Sequence, residues 1–184
     1  MKGSTVRIRS TTNENMLSAS QNGAISLYHD NNVKLETTST GVDITGHTET
    51  DTLNVSDVAT FQGGLVEKFQ TGTTLAADNT LALSDGNVIR RTSNESGNQT
   101  VNFTGVHSTL SSGQVVSFTV IITPNGSGVI NAVQIDGQTI TIKWSGGSVP
   151  SAGSSGKDVY TFSVFKTGTG VSDYEVYGAA TNYA

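Results

Sequence analysis

The sequence predicts an all-β protein in two parts, an intertwined trimeric β stalk over residues 1–64 and a β-sandwich or jelly-roll-like head over residues 65–184. Short runs of alternating apolar and polar residues recur along the chain, and Gly, Asn and Asp separate them. Only 14% of the residues are charged and 34% are hydrophobic, which is typical of a polar protein with a small core. The 21 Gly and 2 Pro residues follow no three-residue period, so a collagen triple helix is excluded.

The N-terminal part is predicted to begin with four short, half-buried strands. Residues 5–8 read TVRI, and further apolar positions follow at 16–17, 25–27 and 33–35. The last two of these runs are joined by Asp30, Asn31 and Asn32, residue types that tolerate the left-handed backbone of a tight turn. The pattern therefore predicts a β-hairpin around these three residues.

Beyond Thr38 the apolar residues come in brief pairs that are too short to form a sheet face within one chain. One or two apolar residues per step cannot offset a backbone ordering cost of about 1–2 kcal/mol per residue. Three identical chains wound around one axis could bury these residues together, so we predict a homotrimer. The predicted trimer core consists of Val42, Ile44, Leu53, Val55 and Phe61.

The head is predicted to follow a junction at residues 65–83, whose LVEKFQTGTTLAADNTLAL is the one stretch with partly helical character. Gly72 and the Thr pair beside it favour loop or strand there. About seven strands with turn signals every 8–12 residues or so favour a β-sandwich or a jelly roll. The predicted strands are residues 88–92, 100–104, 114–123, 129–135, 139–144, 159–165 and 173–177.

The clearest local prediction is a β-hairpin in the sequence INAVQI-DG-QTITIKW. Asp136 and Gly137 stand between two alternating runs. Both residues adopt positive φ readily, as a two-residue turn of the primed type requires. We therefore expect two antiparallel strands joined at Asp136 and Gly137.

Composition argues against several classes of function. The formal net charge is −5 and the basic residues are scattered, so no phosphate-binding stripe is present and nucleic acid is not an expected partner. No apolar run approaches the length of a membrane span, and the first ten residues lack a signal-peptide core. The chain has no Cys, and His29, His47 and His107 are far apart, so we predict no metal and no cofactor.

The aromatic residues of the head are the best candidates for ligand binding, because Tyr and Trp stack on sugars and hydrogen-bond through their polar tips. Trp144 opens a Gly/Ser-rich loop at residues 146–157, a plausible recognition surface, but it also continues the Ile140 and Ile142 face, which favours core packing. Alternation places Tyr174 and Tyr177 on opposite faces of one strand, so one of them should be exposed. The predicted ligand-binding residues are Trp144, Ser148, Asp158, Tyr174 and Tyr177.

Two stretches resemble segments of bacteriophage tail fibres. Residues 23–46 read GAISLYHDNNVKLETTSTGVDITG, which is similar to a stalk segment in fibres of phages that infect cyanobacteria. This chain departs from that pattern with His29, where a second Tyr is common. Residues 144–162 read WSGGSVPSAGSSGKDVYTF, which resembles the distal head of such fibres.

The resemblance implies a homotrimeric tail fibre that attaches non-covalently to a host-surface polysaccharide and is not an enzyme. It implies a protein of the virion, made in the host cytoplasm, whose N-terminal residues dock on a tail protein or another virion protein. Fibre modules are shuffled among viruses, so the likeness speaks to architecture more than to the receptor.

Two alternatives stay open at this stage. A capsid-decorating head fibre, or another structural virion protein without receptor binding, would use the same two parts. A polysaccharide depolymerase is a distant third, since it would need two of the scattered carboxylates held about 5–10 Å apart across a cleft. The acidic residues most easily paired are Glu67, Asp78, Asp85, Asp158, Asp173 and Glu175.

Overall fold

The computed structural model describes residues 4–183 and is all-β, with 49% of residues in strands and 6% in helices. The first three residues of the predicted attachment segment lie outside the described residues. The chain forms two compact units, one extending to Thr60 and the other starting at Phe61. Each unit is described by itself.

The N-terminal unit is one antiparallel sheet in which five strands lie in chain order. The predicted strands are all present, and the residues around Val42 form a fifth. The four turns are tight, and Asn13, Asn22, Asp30 and Asn31 adopt positive φ in three of them, as these residue types permit. The strands are β1 (Thr5–Arg9), β2 (Asn15–Ser20), β3 (Ile25–His29), β4 (Asn32–Thr37) and β5 (Val42–Ile44).

The C-terminal unit, which we call the head, contains ten strands and one short helix, α1 (Val106–Thr109). All seven predicted strand regions are strands. The region predicted at 139–144 is two short strands, while the last two predicted strands are longer than expected. The strands are β6 (Phe69–Gly72), β7 (Thr80–Ala82), β8 (Val88–Asn94), β9 (Asn98–Thr104), β10 (Val115–Thr123), β11 (Val129–Ile135), β12 (Gln138–Ile140), β13 (Ile142–Trp144), β14 (Lys157–Lys166) and β15 (Tyr174–Tyr183).

The junction at residues 65–83 contains two short strands, β6 and β7. Strand β6 forms one edge of a six-stranded sheet and pairs in parallel with β8, while β7 forms an edge of a four-stranded sheet and pairs in parallel with β9. Gln70 secures this region, since its side-chain amide donates to the carbonyl oxygens of Ala82 and Gly86 at 2.8 and 2.7 Å. The junction is therefore strand and loop, as Gly72 and the Thr pair beside it favoured.

The head strands wind alternately between two sheets. The six-stranded sheet has the order β13-β15-β14-β10-β8-β6, and the four-stranded sheet has the order β12-β11-β9-β7. From β6 to β11 each successive strand enters the other sheet, so strands two apart in sequence pair in parallel. A jelly roll is built from antiparallel strands. The head is therefore sandwich-like with parallel winding in its first half and antiparallel pairing around β14.

The core lies between the two sheets and is centred on aromatic side chains. Phe103 of the four-stranded sheet stacks on Phe118 of the six-stranded sheet, with ring centroids 4.0 Å apart. Phe162 lies edge-on to Phe103, with the ring centroids 5.6 Å apart. All three side chains are almost completely buried, so this contact between Phe103, Phe118 and Phe162 holds the two sheets together.

The predicted hairpin is confirmed. Strands β11 and β12 are antiparallel, and the two turn residues Asp136 and Gly137 have φ of 49° and 83°. The turn also fixes α1, because the Asp136 carboxylate accepts hydrogen bonds from the backbone N–H groups of Gly105 at 2.6 Å and His107 at 2.7 Å. One residue thus sets the turn and orients the start of the neighbouring helix.

Asp136→Ala is expected to destabilise the head by about 2 kcal/mol, because it removes two charge-assisted hydrogen bonds and a residue that tolerates positive φ. Denaturant unfolding followed by the fluorescence of Trp144, the one Trp of the chain, measures the loss. Asp136→Asn keeps the backbone preference and one acceptor, so it should lose about half as much. Equal unfolding midpoints for the Ala variant and the wild type would contradict this role of Asp136.

Candidate functional site

One face of the N-terminal sheet carries two rows of aliphatic side chains, which we call the aliphatic face. Strand register aligns Ile8, Leu17, Leu27, Leu35 and Ile44 across all five strands. A second row, two residues away along the strands, contains Val6, Ala19, Ile25 and Val42. Val6, Ile8, Ile25, Leu27, Val42 and Ile44 are 37–54% exposed, so the described chain leaves this face largely uncovered.

The opposite face of the same sheet is polar. Its central row consists of Arg7, Ser18, Ser26, Glu36 and Asp43, and the Ser26 hydroxyl donates to Glu36 Oε1 at 2.8 Å. A single-layer sheet with one polar and one aliphatic face normally packs the latter against another layer. Within the described residues the N-terminal unit contains no such layer.

Residues 45–68, which follow β5, contain no strand and no helix. The predicted trimer-core residues Leu53, Val55 and Phe61 lie here and are 75%, 44% and 64% exposed. The other two, Val42 and Ile44, lie on the aliphatic face. The segment therefore presents apolar side chains for which the described chain provides no cover.

Trp144, the first predicted ligand-binding residue, packs on the core. Its ring lies edge-on to Phe162 and Tyr160, at centroid distances of 5.9 and 6.3 Å. Gly178 makes room for it, since a Cβ at that position would lie 2.8 Å from the Trp144 ring. Trp144 remains half-buried at the sheet edge, while Ser148 is exposed on the loop that follows.

Asp158 and Tyr174, two further predicted ligand-binding residues, lie inside the head. Asp158 is fully buried, and its carboxylate accepts hydrogen bonds from the Gly153 backbone N–H at 2.9 Å and from Asn182 Nδ2 at 2.7 Å. Tyr174 is 8% exposed, and its ring lies 4.2 Å from the buried ammonium of Lys166. Alternation along β14 and β15 points both side chains inward, so neither presents a binding surface.

Tyr177, like Ser148, is a predicted residue that the structure leaves on the surface. It is 44% exposed on the outer face of the six-stranded sheet, where Phe165 contacts it edge-on at 5.7 Å. The Tyr177 hydroxyl donates to Glu175 Oε2 at 2.9 Å, and Lys143 Nζ lies 3.1 Å from the same oxygen. These contacts raise the pKa of Lys143 through Glu175 and lower the pKa of Glu175 through the hydrogen bond from Tyr177.

A shallow depression of about 370 Å³ adjoins this ring, and we call it the Tyr177 trough. Its lining includes Gly178 and the half-buried Trp144, and otherwise consists of Lys143, Ser145, Thr161, Ser163, Tyr177 and Ala179. Register places Lys143, Tyr177 and Ser163 side by side on three neighbouring strands. The predicted ligand-binding residues do not include Lys143, Thr161, Ser163 or Glu175. Alternation with the inward residues of β13, β14 and β15 nevertheless places all four on one face.

A second polar cluster lies where β8 turns into β9. Glu95 is fully buried there, and its Oε1 accepts a hydrogen bond from the backbone N–H of Leu75. Its Oε2 has no hydrogen-bond partner among the described residues. Burial raises the pKa of Glu95 above its ordinary value of 4.5, although the Leu75 N–H and the nearby Arg91 oppose that shift. The cluster anchors residues 73–79, since Glu95 accepts from Leu75 and Arg91 donates to the carbonyl oxygen of Asp78.

The contribution of Glu95 to the stability of the head should fall as pH rises above about 4.5, because the folded state binds the Glu95 proton more tightly than the unfolded chain does. This contribution is complete below the ordinary pKa and is lost as pH rises through the raised folded value. Glu95→Gln keeps an acceptor for Leu75 and cannot ionise, so its unfolding midpoint should decline less over the same range. The unfolding midpoints of the wild type and of Glu95→Gln are measured in denaturant across this pH range. Equal declines of the two midpoints would refute the assignment.

The described residues hold no cluster of three or more His, Cys, Asp or Glu side chains placed to bind a metal ion. No helix within residues 4–183 is both long and apolar enough to span a membrane. No protein-family model, no curated protein and no solved structure matches the chain. The aliphatic face, residues 45–68 and the Tyr177 trough all expose side chains that are available to contact a partner.

Proposed function

We propose that the protein is a structural protein of a phage virion, a homotrimeric tail fibre that attaches non-covalently to a polysaccharide of the host surface. The observation that carries this proposal is the uncovered aliphatic face of the N-terminal sheet. One row is aliphatic on all five strands, the other is aliphatic on four of them with Thr37 on β4, and neither row contains a charged side chain. Such a face requires a partner that is equally apolar.

Further copies of this chain provide that partner. The aliphatic face has no charge that a differently charged partner could complement, whereas further copies of the same face are equally apolar. With strands about 4.8 Å apart and about 3.3 Å per residue, the two rows cover roughly 300 Å². This equals the largest apolar patches of ordinary monomers, which are often functional.

Residues 45–68 add the remaining apolar surface that a stable interface needs. Stable interfaces bury about 800 Å² per partner, more than the aliphatic face alone offers. Leu53, Val55, Val58 and Phe61 are each exposed by 44% or more and would contribute if the segments of several chains wind together. Ordering residues 45–68 costs about 1–2 kcal/mol per residue, so burial between chains is what would stabilise the segment.

The number of copies rests on the brief apolar pairs beyond Thr38, while the tail location and the host receptor rest on the resemblance of residues 23–46 and 144–162 to phage tail fibres. In this proposal the N-terminal residues dock on a tail or other virion protein, and the heads point towards the host. Three heads on one fibre bind a repeating polysaccharide together, so each site needs only weak affinity. Adhesion of this kind requires no catalytic residue.

Light scattering coupled to size-exclusion chromatography on the whole chain tests the assembly. We expect a mass three times the 19.1 kDa of the monomer. The same value should persist on dilution to nanomolar concentration, since an intertwined assembly dissociates slowly. A monomer at micromolar concentration would refute the fibre proposal, because nothing would then cover the aliphatic face.

A further inference from the structure

We propose that the Tyr177 trough binds a neutral sugar chain. The inference rests on the proposed function and gives the adhesion a place on the head and a ligand class. The site lies on the outer face of the six-stranded sheet, where β13, β15 and β14 run side by side. Among its lining residues, Trp144 also packs on the core between the sheets.

The shape of the trough follows from the sizes of neighbouring side chains. Tyr177 stands beside Ser163, and the next row across these strands contains Ala179 and Thr161. Small side chains next to one large ring leave an open depression with an aromatic wall and a floor that carries hydroxyl groups. A pyranose ring has matching surfaces, because its C–H groups contact aromatic rings while its hydroxyl groups exchange hydrogen bonds with Ser and Thr.

The aromatic wall is held in position before any ligand arrives. The Tyr177 hydroxyl is bonded to Glu175, Lys143 Nζ lies 5.0 Å from the ring centroid, and the Phe165 ring contacts it edge-on. A side chain restrained by three neighbours loses little rotamer freedom on binding. A ring that is already restrained gives a specific contact at a smaller entropic cost than a mobile ring would.

The charges beside the trough indicate a neutral ligand. Lys143 is the one charged residue that lines it, and its ammonium lies 3.1 Å from Glu175 Oε2. The pair cancels, so an acidic sugar would find no unpaired cation and would lose part of its hydration on entry. Neutral hydroxyl groups can instead accept from Lys143 or donate to Glu175 without breaking the pair.

A protein partner fits this surface less well than a sugar. The exposed apolar side chains here are Val115, Phe165 and Tyr177. Standard protein interfaces use about 20–30 residues on each side with a fully buried apolar centre. A narrow strip of three such side chains beside a polar depression matches one or two sugar rings.

A glycan array printed with neutral and acidic glycans, probed with the full-length protein, tests the inference. We expect the wild type to bind neutral glycans. For Tyr177→Ala the half-saturating concentration should rise about tenfold or more. Tyr183→Ala is the matched control, since Tyr183 is an exposed Tyr of the same strand and face, about 20 Å further along. The control should bind as the wild type does.

Thr161→Arg provides a second variant that leaves the ring intact and fills the trough, and it should also abolish binding. Trp144 fluorescence and the mass of the assembly show whether each variant is folded. Binding by Tyr177→Ala and Thr161→Arg equal to the wild type would overturn the site and leave adhesion standing. Binding restricted to acidic glycans would overturn the ligand class, and no binding by the wild type would overturn both the inference and the adhesive part of the proposed function.

Discussion

Leu27→Asp is expected to convert the assembled protein into monomers. Leu27 lies at the centre of the longer row of the aliphatic face, between Leu17 and Leu35. It is 41% exposed in the single chain, so an Asp remains hydrated in the monomer and the sheet still forms. Assembly would bury three carboxylates near one another, at a cost of several kcal/mol for each unpaired charge. Light scattering should report the 19.1 kDa monomer.

Ser18→Asp is the matched control for this prediction. Ser18 lies on the polar face of the same sheet, opposite Arg7 and next in sequence to Leu17. A carboxylate there stays in water beside a cation, so the assembly should keep the mass of the wild type. Dissociation of both variants would mean that charge anywhere on the sheet disrupts assembly, and the aliphatic face would lose its assigned role.

Phe103→Ala is expected to destabilise the head by about 3–5 kcal/mol, a large part of the total stability of a domain this size. The ring is fully buried and contacts Phe118 and Phe162 of the opposite sheet. Its removal leaves a cavity between the sheets that the surrounding strands cannot close. Denaturant unfolding followed by Trp144 fluorescence measures the change.

Phe69→Ala provides the comparison, because Phe69 is 56% exposed on the edge strand β6. The same chemical truncation should cost less than about 1 kcal/mol there. If the two variants unfold at the same denaturant concentration, the Phe103, Phe118 and Phe162 contact does not hold the sheets together. The assembled mass should be unchanged in both, since neither residue lies on the aliphatic face or in residues 45–68.

The strands of the head could be predicted where the alternation is long and the turn chemistry is specific. In β10, Val116, Phe118, Val120 and Ile122 all point inward, and the Asp136-Gly137 turn has the two positive φ values that its residue types favour. Strands β6 and β7 have four and three residues, too few to show a period. Their parallel pairing with β8 and β9 depends on the path of the chain between sheets, which no local pattern contains.

The candidate site was only partly readable from the sequence. The inward direction of Asp158 follows from its spacing to Tyr160 and Phe162, but a carboxylate inside a core is uncommon and argued against that reading. Its burial becomes favourable only with the hydrogen bonds from Gly153 and Asn182. The aliphatic face likewise depends on register across five strands, which is set by four turns together and cannot be read from any single apolar pair.

The position of β6 determines how the head would respond to mechanical tension. The chain enters the six-stranded sheet at β6, on one edge, while the Tyr177 trough lies near the other edge, so a pull between them crosses every strand pairing from β6 to β15. The four-residue β6 is the shortest strand on this path, and the ten-residue β14 and β15 are the longest. We expect rupture to begin at β6, where the chain enters the sheet. In the proposed adhesin, the strands around the Tyr177 trough would then stay paired and bound to the host surface while β6 separates.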